Sequence, residues 1–106
     1  MELEDVLKVV EVLSKKTEAE NPVWEVGKQY LVRTVTHYLT GKLERVTRQE
    51  LVLSDAAWIA DTGRYYDALR DGKFNEVEPI IGNAIIGRGA IADAVEWNHK
   101  LPKEQK

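Results

Sequence analysis

The chain has 106 residues, 43% of them apolar and 31% charged, with a formal net charge of −3 and no cysteine. That composition is the composition of one globular domain, residues 1–106, and not of a disordered chain. It excludes disulfides, thiolate metal sites and cysteine nucleophiles, leaves no apolar run near the roughly 18–20 residues of a membrane span, and argues against indiscriminate coating of nucleic acid.

A chain of this size buries only about 65% of its unfolded surface, so self-association is a natural source of extra stability. Met1-Glu2-Leu3-Glu4-Asp5 is acidic where a signal peptide carries a basic region, so the expected compartment is the cytoplasm. Leu3, Val6, Val10 and Leu13, widened by Leu7, Val9 and Val12, repeat with a helical period. Acids crowd the first turn and Lys15 and Lys16 follow later, which complements the helix dipole. Asn21-Pro22 ends the pattern, predicting an amphipathic helix over residues 1–21 that lies on the rest of the fold or on a neighbouring copy.

From Lys28 the pattern becomes β-like. Tyr30, Val32, Thr34, Val35 and Thr36 predict a first strand, Tyr38 to Thr47 a second containing Gly41, and Leu51 to Ile59 a third. Thr47-Arg48-Gln49-Glu50 is the expected turn between the second and third, and the short links imply an antiparallel meander. Residues 61–75 interrupt this pattern. Asp61-Thr62-Gly63 is a turn, Arg64 to Arg70 has a short helical character, and Asp71-Gly72 stops it. Strand patterns resume at Glu76-Val77-Glu78, at Ala84-Ile85-Ile86 and at Ala90 to Val95, with Gly87-Arg88-Gly89 as a sharp joint. Residues 98–106 read as a loose polar tail, and Trp97 as a residue closing the end of the sheet. The expected fold class is mainly β: an N-terminal helix, then about five strands in a small, strongly bent antiparallel sheet or barrel, with a short helical insertion between strands three and four. Gly41 and Gly89 are the inner glycines expected to let the strands curl.

Thr40-Gly41-Lys42-Leu43-Glu44-Arg45-Val46 resembles the start of the first Sm motif, and Leu51-Val52-Leu53-Ser54-Asp55-Ala56 resembles its continuation. Ile85-Ile86-Gly87-Arg88-Gly89-Ala90-Ile91 resembles the second Sm motif, an apolar strand ending in Arg-Gly and an apolar residue. The chain thus resembles the Sm-like (LSm) family over residues 1–20 and 28–96, in a divergent bacterial or phage-type form. The resemblance implies a closed homo-oligomeric ring in which strand four of one copy pairs with strand five of the next, a solution that removes exposed sheet edges. On this basis Ile85, Ile86, Ile91 and Val95 are the expected interface residues. It also implies binding of single-stranded RNA on one face or at the pore. In family members the turn after strand two carries Asp and then Asn; here Thr47 stands at the first position and no Asn follows, leaving Arg88 and Gly89 as the matching part of the site.

Charge adds a second line of argument. Within residues 28–49, Lys28, Arg33, Lys42, Arg45 and Arg48 face only Glu44, and a ring would repeat that cluster in every subunit. Arg88, Gly89, Arg45, Arg48 and Lys42 are therefore the candidate nucleic-acid contacts, and Tyr30, Tyr38, Tyr65, Tyr66 and Trp58 the candidate stacking faces. The same residues read equally as a solvated strand face with core and interface aromatics, and Arg88 equally as a partner for an acid of a neighbouring copy. His37 and His99 have no partner at ligand spacing, so no metal or other cofactor is expected. No nucleophile–base pair is visible, so no catalytic residue is assigned. Three function classes stay in view: an enzyme, which the missing nucleophile–base pair and metal set disfavour, a ring that binds RNA or single-stranded nucleic acid, and a scaffold ring with no nucleic-acid ligand. A protein partner would then meet residues 1–20 or the 61–75 insertion.

Overall fold

The computed structural model describes residues 23–106, and the helix expected over residues 1–21 lies outside them. The described chain is mainly β. Six strands, β1 (Gln29–Thr34), β2 (Tyr38–Val46), β3 (Glu50–Asp61), β4 (Glu76–Pro79), β5 (Ala84–Gly87) and β6 (Ile91–Glu96), form one antiparallel sheet. One helix, α1 (Tyr65–Asp71), joins β3 to β4, within the expected insertion, and a 3-10 turn, Arg88–Ala90, joins β5 to β6. The order is β4-β3-β2-β1-β6, with β5 also on β3. The sheet is not closed by a further strand pair, so the barrel expectation is corrected to an open, bent sheet.

β3 is long enough to hold two partners along one edge. Leu53 pairs with Ala84 and Leu51 with Ile86, while Ala57 pairs with Pro79 and Ile59 with Val77. β4 and β5 thus act as one strand interrupted at residues 80–83, where Gly82 takes φ 92 and Pro79 supplies no amide hydrogen. Opposite the interruption Asp55 sits at φ 48, the only non-glycine residue at positive φ among those described. A register shift between Thr40 and Lys42 marks the same place in the β2–β3 ladder, leaving an extra residue on β3. Such bulges bend a strand and increase its twist. Gly41 belongs here: a Cβ on it would stand 2.8 Å from the Leu53 Cβ, so only glycine allows the two strands to pass this closely. Gly89 has no such need, since a Cβ there would meet open space and its φ is not in the left-handed region.

Both faces of the sheet are covered. Tyr30, Val32, Leu39, Leu43, Leu51, Leu53, Ala56, Ala84 and Ile86 pack on one face, with Trp24 against them. Leu31, Ala57, Ile59, Ala68, Phe74, Val77 and Trp97 pack on the other, under α1 and the chain beyond β6. Each fully buried leucine or isoleucine contributes about 1.5–3 kcal/mol relative to exposure, so neither layer is a minor one. Trp97, just beyond the end of β6 with its amide donating to the Gln29 carbonyl, stacks on Phe74 at 5.0 Å in the second layer. The segment expected to be a loose tail is also docked: Leu101 packs on the second layer, and Lys106 pairs its backbone with Val77.

Candidate nucleic-acid interface

The turn between β2 and β3 falls at the expected residues and is held by its own threonine. Thr47 donates its amide to the Glu50 carbonyl at 2.9 Å, and its Oγ1 accepts the Glu50 amide at 2.9 Å and the Gln49 amide at 3.3 Å. A hydroxyl that accepts amides two and three residues on is the reason threonine suits this position. Arg88 is fastened to this turn from across the fold. Its amide donates to the Gln49 carbonyl at 2.8 Å, and its Nη1 donates to the Thr47 carbonyl at 2.9 Å. Two residues on, the Ala90 carbonyl accepts the Val35 amide at 3.1 Å. The Arg88–Ala90 joint therefore ties together the β1–β2 and β2–β3 turns, although it lies about forty residues from the second and about 55 from the first in sequence. The guanidinium is exposed and carries five donors in a planar fork, of which the Thr47 carbonyl takes one.

The structure brings Arg48 and Arg88 to the same turn and sets Lys42 and Arg45 along β2 leading away from it, all four exposed. Among the described residues none of the four makes an ion pair. Glu44, the one acid among them, receives the Ser54 hydroxyl at 2.6 Å. Gly89 is exposed beside Arg88.

The expected interface residues divide into two pairs. Ile85 and Val95 are exposed, on the strands β5 and β6 that carry unpaired edges among the described residues, while Ile86 is buried and Ile91 packs against its own core. The expected stacking faces divide likewise. Tyr30 is buried, with its hydroxyl oxygen accepting the Glu25 amide at 2.9 Å. Trp58 is exposed against His37 with ring centroids 5.9 Å apart, and Tyr38 meets Tyr65 at 5.9 Å. The Arg70 guanidinium lies over the exposed Tyr66 ring at 5.7 Å. Burial, followed by the nearby Asp93 carboxylate, pushes the Tyr65 phenol above its ordinary pKa. Arg33 hydrogen-bonds Asp93 across the β1–β6 ladder, which holds the guanidinium charged and the two strands in register. His37 is exposed against Thr36, and His99 has its Nε2 2.7 Å from the Leu69 carbonyl. Among the described residues no three His, Asp or Glu side chains gather as a metal site, and no helix is long and apolar enough to cross a membrane.

One basic feature was missed from the sequence. The docked segment after Trp97 encloses a cleft of about 680 Å³ with the second face of the sheet, lined by Lys42, Lys73, Lys100, Lys103 and Lys106. Its only sequence signal is the spacing of three between the last three lysines. Comparison of the chain with protein-family models, with curated proteins and with solved structures gives no match.

Proposed function

We propose that the chain is a ring-forming Sm-like subunit that binds single-stranded nucleic acid, RNA in the first instance, at the turn joined by Arg88. The observation that carries this reading is the double attachment of Arg88 to Thr47 and Gln49. The two segments that the resemblance makes into one site are in contact, and an exposed arginine fork stands between them. The strand order supports the same reading. An antiparallel β1-β2-β3 meander with β6 returning to pair with β1 is compatible with the small bent sheet that the resemblance implies. Among the described residues that order, with Lys106 paired to β4, leaves two different unpaired edges, β5 and β6, and pairing unlike edges between copies is heterologous, closing into a ring where the rotation permits.

Native mass spectrometry of protein purified without nuclease, first at low and then at moderate salt, tests both parts. A closed oligomer carrying nucleotide mass that salt removes is the expected result. A monomer overturns the ring, and a ring with no added mass overturns the nucleic-acid role in favour of a scaffold. Ile85→Glu and Val95→Glu are expected to leave the fold intact and dissociate the oligomer, since both side chains are exposed within one chain.

A further inference from the structure

We infer that the lysine-lined cleft beneath the C-terminal segment is a second contact for the same ligand, holding the phosphodiester backbone of a single-stranded nucleic acid after it leaves the Arg88 turn. The inference rests on the proposed nucleic-acid role and adds a path that the Arg88 site does not contain. Lys42 comes from β2, Lys73 from the loop after α1, and Lys100, Lys103 and Lys106 from the docked segment, so folding gathers charges that the sequence keeps apart. Five of the six lysines in residues 23–106 line this one cleft, in a chain whose net charge is −3. Two acids, Asp55 and Glu104, share the lining, and Asp55 is already 3.8 Å from Lys103. Lys42 lies on β2, the strand that also carries the exposed Arg45 towards the Thr47–Glu50 turn, so one strand links the cleft to the turn.

The geometry favours a nucleic-acid backbone over an acidic peptide. A peptide commonly docks on a sheet by adding a strand. Here the β4 edge beside the cleft is occupied, because Lys106 exchanges both backbone hydrogen bonds with Val77 at 2.8 and 3.0 Å. The one aromatic ring in the lining, Phe74, is buried in its stack with Trp97. With no open ring for a base and no arginine fork, the cleft offers point charges on flexible stems, which suit phosphates without regard to sequence.

The test is fluorescence anisotropy of labelled oligouridylate and oligothymidylate on the full chain across a salt series, with polyglutamate as a second probe. Lys73→Gln with Lys100→Gln should weaken oligonucleotide binding by roughly 5- to 25-fold at about 0.1 M salt and reduce the slope of log affinity against log salt by about 1.4. Both side chains are exposed, and an unchanged melting midpoint will show that the fold is retained. If the lysine pair changes neither affinity nor slope while Arg88→Ala weakens binding, the cleft is not on the path and the turn site stands. If Arg88→Ala has no effect and the lysine pair does, the cleft stands and the turn site falls. Absence of oligonucleotide binding to the unaltered protein overturns both, as does binding of polyglutamate alone.

Discussion

Lys106 and Val77 are joined by two backbone hydrogen bonds, the Val77 amide donating to Lys106 at 2.8 Å and the Lys106 amide donating to Val77 at 3.0 Å. This reciprocal pair occupies the outer edge of β4, so among the described residues the strand edges left for pairing with another copy are those of β5, Ala84–Gly87, and β6, Ile91–Glu96. Unpaired strand edges invite indiscriminate association, and a short open edge limits it.

The docking of that segment depends on Leu101, the apolar side chain that packs on the second layer. Leu101→Ala should lower stability by about 1–2 kcal/mol, less than a fully buried leucine would cost, because this one is half-exposed. In hydrogen exchange the Val77 and Lys106 amides should lose protection together, while amides in the β2–β3 ladder keep theirs. Equal loss everywhere would mean that the segment unfolds only with the whole domain.

Gly72 ends α1 in the left-handed conformation, with φ 70 and its amide donating to the Ala68 carbonyl at 2.8 Å. A Cβ there would stand 2.5 Å from Cγ of His99, whose ring also meets Trp97. Gly72→Ala therefore combines a left-handed alanine with a displaced imidazole, and should cost about 2–3 kcal/mol in urea unfolding. The double variant Gly72→Ala with His99→Ala should cost less than the sum of the two single variants, because removing the ring removes the collision. Strict additivity would assign the whole loss to the backbone.

Thr40 is fully buried between its ladder partners Leu31 and Ala57, and its Oγ1 has no hydrogen-bond partner. The hydroxyl bears a desolvation cost with no bond in return. Thr40→Val keeps the shape and the β-branching and should raise stability by about 1 kcal/mol, read as a higher urea midpoint at unchanged slope. A drop in stability would show that the hydroxyl is solvated in solution.

Much of this architecture is legible in the chain. The strand runs, the Thr47–Glu50 turn and the helical insertion follow from alternation, β-branching and turn residues. Asp55 explains a part that does not. By taking φ 48 it adds a residue to β3 and flips the phase, so Leu51 and Leu53 face one layer while Ala57 and Ile59 face the other. Simple alternation carries no sign of that flip, because aspartate is equally at home in a turn. The stack of Trp97 on Phe74 was not legible for a related reason: it brings together residues distant in sequence, in a layer that the following segment also covers. In the candidate site, Arg88 and its turn were legible through the resemblance. The lysine cleft was not, because its charges come from three separate stretches and meet only in the fold.

Tyr65 is expected to make the fold sensitive to alkaline pH. Its phenol pKa is raised above the ordinary value of about 10, first by burial and then by Asp93 and Tyr38, with Arg33 acting in the opposite direction. The folded state therefore holds the phenol proton more tightly than the unfolded state does. Stability from this group is complete below the unfolded pKa and declines as pH rises from about 10 through the folded pKa. Urea midpoints should fall over that range, and Tyr65→Phe should reduce the fall while leaving neutral-pH stability nearly unchanged, since the hydroxyl donates no hydrogen bond among the described residues. Near-ultraviolet absorbance should show a late-titrating tyrosine that is missing from the Tyr65→Phe protein. If the variant and the unaltered protein lose stability equally above pH 10, another group sets the alkaline limit and the packing of α1 over Tyr38 does not resist ionisation.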